Sequence, residues 1–314
     1  MTQAGLPDLL AGWAPEPTQV TQTVPAEPAV ALAGLFDTEP PVTGPGDPLP
    51  PLWHWLYFLD RPAQRDLGSD GHNAASRFVP PIPPRRRMFG GGRVRYDGPI
   101  RCGDEITRRG EPAGWKIRQG RTGELLFVTV RFTFTRAGTA VAVEEQDIIY
   151  RGGPPAGPAP PAGPAPPAGA IPPAPAAGEA GPPAPWSLRM AADPVLLFRF
   201  SALTYNAHRI HYDEPYATGV EGHLGLVVHG PLLALLCLEL PRRHRPGQPV
   251  TRFSFRASST LFAGQPFTVT GGPVTGGPGD GGHADRDQSH GGCAMRVTGP
   301  DAAVALTADA TLAS

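Results

Sequence analysis

Lysine is almost absent from this 314-residue chain: Lys116 stands alone against 26 arginines. Schiff-base chemistry therefore has a single candidate nucleophile. Cysteine is scarce as well. Cys102, Cys237 and Cys293 are odd in number, far apart and form no Cys-x-x-Cys, so neither a zinc ribbon nor a disulfide framework is readable. No apolar run is long enough to cross a bilayer; the longest, Gly230 to Leu240, is interrupted by Glu239. The chain does not open with a basic stretch and an apolar segment, so no secretory leader is expected. Charge of one sign is also missing. Lys and Arg total 27 against 28 Asp and Glu, a formal charge of −1, and no global field draws the chain to nucleic acid or an anionic membrane. These absences lead to the expectation of a reduced, cytoplasmic protein whose partners include neither nucleic acid nor membrane.

What the chain has in excess is proline (42) and glycine (40). The excess is densest in residues 152–185, where PPAG recurs at 154–157, 160–163 and 166–169. Such a segment has few side chains to bury and is expected to be a flexible, solvated linker. It divides the chain into residues 1–151 and 186–314, each large enough for its own core. In the first part, the aromatic run Pro51–Asp60 reads as a buried helix entered through proline. It is followed by β-rich runs at Gly92–Tyr96, Asp104–Gly110, Leu125–Thr135 and Ala140–Tyr150, with a period of two clearest around Phe127. The second part repeats that order. Leu196–Phe200 reads as a strand, Ser201–Ala217 as short turns or helix, and Gly230–Leu240 as an apolar helix. Strands are then expected at Arg252–Ser258, Phe267–Gly271, Cys293–Thr298 and Ala303–Asp309. One helix wrapped by antiparallel strands, twice over, is an α+β fold of two units side by side.

The densest polar cluster lies in residues 198–217, where Asn206, His208, His211 and Asp213 fall within eight positions. Some 18 residues beyond His211, His229 and Gly230 stand at the mouth of the apolar helix. A helix start presents unpaired N–H groups and a positive dipole end, which suits a developing oxyanion. Imidazole is the usual base at neutral pH. Together they are the minimum for chemistry next to a thioester carbonyl; histidines that only cap turns and fill a cleft are the alternative.

The run Ala202–His211, followed by His229-Gly230, resembles the motif of the MaoC-like dehydratases and R-specific enoyl-CoA hydratases. The resemblance is closer to a two-domain branch containing mitochondrial-type 3-hydroxyacyl-thioester dehydratases and mesaconyl-C4-CoA (3-methylfumaryl-CoA) hydratases. PPLWHWLYFLD, PPRRRMFGGGRVRYDGPIRCGDEI, EEQDIIYRG and SALTYNAHRIHYDEPYA carry it, across roughly residues 48–230. It implies a double hot-dog fold with a non-catalytic first domain and a catalytic second one. His211 falls on the catalytic histidine and Gly230 on the oxyanion-hole glycine. Asn206 stands where the family places its catalytic aspartate, and His208 where it places asparagine. A neutral amide cannot accept a proton from water, so Asn206 is expected to orient rather than transfer. Trp53-His54 sits near where an active first half would carry His-Gly.

The resemblance implies an acyl-CoA substrate, most simply a short one such as mesaconyl-C4-CoA, hydrated without a cofactor beyond the substrate's own coenzyme A. His208, His229, Arg86 and Arg87 are candidate substrate contacts, the arginines because guanidinium grips phosphate well. A homodimer of the two-domain chain stays open as its assembly. A hot-dog thioesterase is an alternative, although the apolar helix offers only Glu239 as a carboxylate. So is a non-catalytic thioester-binding subunit, which the missing aspartate favours. Gly90-Gly91-Gly92 reads as a tight turn and Cys237 as packing. His283, Asp285, Asp287 and His290 fall in a glycine-rich stretch expected to be a flexible insertion rather than a metal site.

Overall fold

The structure, a computed structural model, describes residues 6–74, 76–83, 86–120, 123–151, 184–274 and 291–313. The first half comprises α1 (Leu6–Leu10), β1 (Thr18–Thr23), α2 (Glu27–Leu35), β2 (Arg86–Tyr96), β3 (Glu105–Gly120), β4 (Gly123–Arg136) and β5 (Thr139–Arg151). The second comprises β6 (Trp186–Ala191), α3 (Pro194–Thr204), α4 (Glu214–Gly219), α5 (Gly230–His244), β7 (Val250–Ala257), β8 (Pro266–Pro273), β9 (Gly291–Thr298) and β10 (Val304–Leu312). All ten strands join one antiparallel sheet in the order β1-β3-β4-β5-β2-β7-β10-β9-β8-β6. The fold is the α+β double hot-dog. Its two five-stranded units meet at β2 and β7, where Gly91 pairs with Arg256 and Arg95 with Arg252.

Strand alternation sets the core. In β4 Leu126, Val128, Val130 and Phe134 are buried and Phe132 partly so, every second residue from 126 to 134. In the second half α5 lies against β6, β8, β9 and β10, burying Leu232 through Leu240 without a break. A helix apolar on every side is one enclosed by sheet.

Three expectations need correction. Pro51–Asp60 is not a central helix: only Trp53–Leu56 coils, as one 3₁₀ turn. Pro50 and Pro51 precede it, and Leu52 and Phe58 take positive φ values of 65° and 56° on either side. Those left-handed residues end any helix before it can propagate. Leu196–Phe200 is not a strand but the middle of α3, whose start is fixed by Asp193 accepting the Leu196 N–H at 2.7 Å, with Pro194 next. Leu197, Phe200 and Ser201 are buried while Val195 and Phe198 face solvent, a helical spacing.

The third concerns Gly90-Gly91-Gly92, which form no turn but lie within β2, where the pairing with β5 slips between Phe89 and Gly91. At Gly91, with φ of +150°, a Cβ would stand 2.4 Å from the Phe255 carbonyl oxygen. Only glycine lets the seam strands approach there. Four elements carried no clear periodic signal in the sequence: α1, α2 and the six-residue strands β1 and β6.

Candidate active site

A cavity of about 1010 Å³ lies between the halves, lined by Trp55, Phe89 and Phe132 from the first and by His211, Gly230 and Asn206 from the second. The first half leaves room for it because one helical turn stands where the second half has fifteen residues of α5.

The second-half wall follows from local capping. Tyr205 takes a left-handed φ of 51° and closes α3, and the Asn206 N–H then donates to Ser201 O at 2.8 Å. Asn206 Oδ1 accepts the His208 N–H at 3.0 Å, the side chain-to-backbone turn typical of asparagine. One lone pair of its acceptor is therefore engaged by the loop, and the amide NH2 makes no hydrogen bond among the described residues. Arg209–His211 form a 3₁₀ turn. Asp213 caps α4 through the Tyr216 N–H at 3.1 Å and holds Arg209 at 2.8 Å.

His211 is buried, and its Nδ1 lies 2.8 Å from the Val227 carbonyl oxygen. A carbonyl only accepts, so Nδ1 carries the hydrogen and Nε2 the lone pair. Burial lowers the His211 pKa to about 3, opposed by the Val227 bond and reinforced by the charges of His208, His72 and His223. The ring is therefore neutral at physiological pH. His229 stacks on it with centroids 3.6 Å apart. The His229 Nε2 meets Ser201 Oγ at 2.9 Å, while its buried Nδ1 has no partner among the described residues. Burial, then His211, holds its pKa well below the ordinary value. Gly230 begins α5, and no acceptor among the described residues takes its N–H. A Cβ there would meet only Phe89, at 3.7 Å, so the glycine keeps the approach to that N–H open from the cavity side.

His208 also borders the cavity. Its pKa falls to about 3 through burial first and the charge of His72 second, with Asp70 opposing. Arg86 and Arg87, at the start of β2, line the same cavity. Arg86 pairs with Glu221 at 3.2 Å, and its buried Nη2 has no partner among the described residues. All seven candidate residues thus border or underlie one space, with His229 behind His211.

Glu239 is 1% exposed and bound by Arg242 and Arg243, far from a thioesterase carboxylate's duty. Burial pushes the Cys237 thiol far up, as packing requires. His283, Asp285, Asp287 and His290 lie outside the described residues, as does nearly all of the 152–185 segment.

Two site residues went unread in the sequence. Asp70 and His72, from a first-half loop, reach the second-half wall, with the His72 ring 4.0 Å from that of His208. Their only local signal is Asp-Gly-His in a polar turn, which any surface loop shows. Asp70, His72 and His208 bring one ligand atom each within 4.8 Å of one another. The Asp70 carboxylate is already engaged by His72 Nδ1 at 2.9 Å, and the two rings lie tilted face to face rather than converging on a point.

Residues 52–263 match the family described as hydroxyacyl-thioester dehydratase type 2. The mesaconyl-C(4)-CoA hydratase of Chloroflexus aurantiacus is 42% identical over 287 residues, covering 90% of this chain and 91% of that one. Among solved structures, a MaoC-like dehydratase from Phytophthora capsici superposes with a TM-score of 0.65 at 13% identity, covering 99% of both chains. A Mycobacterium tuberculosis protein described as having a double hotdog fold gives 0.56 at 16% identity, over 95% of both. At such identities these two speak for the fold alone.

Proposed function

Because the chain belongs to the hydroxyacyl-thioester dehydratase type 2 family and is an acyl-thioester hydratase/dehydratase, we propose that it hydrates a short enoyl-CoA such as mesaconyl-C4-CoA at His211 and Gly230. The acyl group enters the cavity between the halves. His211 Nε2 takes a proton from water as the water oxygen bonds to C3. The electron pair of the double bond moves toward the thioester, whose oxygen gains enolate charge against the Gly230 N–H. C2 then takes a proton, and dehydration is the reverse. The NH2 of Asn206 and the ring of His208 orient water and acyl group.

The observation that carries this reading is the Val227 bond, which fixes the one His211 tautomer with a basic nitrogen left over. Identity of 42% with the Chloroflexus hydratase supports the acyl chain. The orphaned Nη2 of Arg86 supports an acidic ligand, whether the free carboxylate of a mesaconyl group or a CoA phosphate. The reaction needs no group besides the substrate's own coenzyme A. Residues 1–151 would then serve as a non-catalytic frame, 152–185 as the linker and 186–314 as the catalytic domain. A cytoplasmic setting accords with three buried, unpaired thiols, and no helix among the described residues is long and apolar enough to cross a membrane. A homodimer of the two-domain chain would find apolar surface at the exposed Val195 and Phe198 of α3; sedimentation tests it.

The experiment follows enoyl-thioester absorbance with crotonyl-CoA and mesaconyl-C4-CoA while titrating free thiol. Loss of absorbance without thiol release is the expected result, faster with mesaconyl-C4-CoA. Thiol release would mean a thioesterase, and no change with either substrate would mean a thioester-binding subunit.

A further inference from the structure

The loop of residues 68–74 leaves the first half and locks onto the catalytic turn of the second. The Arg209 N–H donates to Asp70 O at 2.9 Å, and Arg209 Nη1 donates to Ser69 O at 2.9 Å. Gly71, with φ of +87°, sits so close that a Cβ would stand 1.9 Å from Ala207 O. What this docking delivers is a carboxylate–imidazole pair. Asp70 Oδ2 lies 2.9 Å from His72 Nδ1, and Asp70 Oδ1 accepts the His72 N–H at 3.0 Å. Beyond His72 the rings continue in a row: His208 at 4.0 Å, His211 a further 5.4 Å on, and His229 stacked 3.6 Å behind that. Four imidazoles thus follow one another in contact, with one carboxylate at the His72 end.

That row needs a negative charge. When His211 takes a proton it becomes a cation in a buried site between two other imidazoles, and position 206 supplies only an amide. The other carboxylates bordering the cavity are engaged elsewhere: Glu144 by His54, Trp55 and Gln146, Glu221 by Arg86 and Tyr216, and Asp60 by Arg108. Asp70 is the carboxylate that reaches the row. Burial alone would raise its pKa, but the hydrogen bonds and charge of His72, with the charge of His208, hold it below the ordinary range. A carboxylate on one imidazole nitrogen fixes the tautomer, aims the other nitrogen and stabilises the protonated ring.

We propose that His72, positioned by Asp70, is the second proton-transfer residue of this site, so that the first half supplies what Asn206 no longer does. The proposal rests on the hydratase reading above and completes it. The protonated His72 gives its Nε2 hydrogen to C2 while His211 Nε2 takes one from water. The proton on His211 returns to His72 through cavity water, and one water is consumed per turnover.

The test compares wild type with Asp70→Asn, His72→Gln and the double variant Asp70→Asn/Asn206→Asp. Asp70→Asn keeps the shape of the loop. It should lower kcat by roughly 10–100-fold at unchanged KM and thermal midpoint, and the added Asn206→Asp should restore about tenfold of that loss. His72→Gln should fall at least as far. Either single variant within about twofold of wild type, or a loss that tracks melting and resists rescue, overturns the proposal. A second measurement needs no turnover. ¹⁵N spectra of the histidines at alkaline pH should show His72 with its hydrogen on Nδ1 in the wild type and a mixture in Asp70→Asn. A hydrogen on Nε2 in the wild type overturns the pair even where hydration itself is present, whereas absent hydration with the Nδ1 form intact would sink the reaction assigned above and the transfer step with it, leaving only the Asp70–His72 pairing.

Discussion

In the first half, four residues of 3₁₀ turn, Trp53–Leu56, occupy the place of a central helix, and their histidine is clamped. His54 Nε2 meets Glu144 Oε2 at 2.8 Å with both side chains 3% exposed, and Glu144 Oε1 also accepts the indole Nε1–H of Trp55 at 2.7 Å. In the second half, α5 runs fifteen residues, and the histidine beside its start, His211, spends one nitrogen on a backbone carbonyl and keeps the other uncommitted among the described residues. The first arrangement stabilises; the second leaves a base. Burial would raise the pKa of Glu144, but His54, Gln146 and Trp55 together hold it low, so its charge is consumed in the core of its own half. A shortened helix thus gives the first half a cavity wall and a locked polar core, while the full helix leaves the second the Gly230 N–H open to the cavity.

Separating the halves should have the largest effect. Residues 186–314 alone would expose the flank of β7 that pairs with β2 in the intact sheet, and should aggregate or self-associate when followed by light scattering. An active monomer from that piece would break the comparison outright. Next comes His211→Ala, expected to lower turnover by roughly 10²–10⁴-fold while thioester binding, read by calorimetry, changes little. Full activity in that variant would remove the second half's claim to the chemistry. Glu144→Leu should act on stability instead. It leaves a buried His54 without its acceptor, a loss of the order of 3–5 kcal/mol visible in the denaturation midpoint.

A second effect on stability follows from pH. His208 and His211 have pKa values near 3 in the folded chain, and that of His229 is also well below the ordinary 6.5. The unfolded chain therefore binds more protons between about pH 6.5 and pH 3, and stability should fall on acidification across that window, by about 1.4 kcal/mol per pH unit for each such group. A thermal midpoint constant from pH 7 to pH 4 would contradict the burial of these rings. Smallest of all, shortening the 152–185 run to about 12 residues should leave turnover unchanged, since alanine, proline and glycine bury little. Loss of soluble protein would show that the segment packs.

How much of this was legible depended on the range over which each feature is determined. The strands β4 and β5, helix α5 and the loop bearing His211 declare themselves within a dozen residues by period or motif. Helix α3 was legible in principle: Asp193-Pro194 is a helix start, and the apolar run after it obscured the signal. The stunted helix at Trp53 depends on positive φ at Leu52 and Phe58, residues that give no hint of it. Asp70 and His72 could not be read at all, because their meaning comes from contacts with Ala207, His208 and Arg209, some 135 positions away. The seam was equally hidden, since Gly91 looks like any turn glycine until Phe255 is placed against it.

The position of β2 has a consequence for how the chain is made. β2 is complete at Tyr96, but its partner across the seam, β7, ends only at Ala257. At roughly 5–20 residues per second, a nascent first half waits on the order of ten to thirty seconds with one flank of β2 unoccupied. During that interval neighbouring chains on the same message present the identical open strand. The glycines at 90–92 offer a foreign strand no side chains to grip there, and their bulge spoils a straight register. The close approach they permit in the finished sheet also makes the unfinished edge a poor template for assembly in trans.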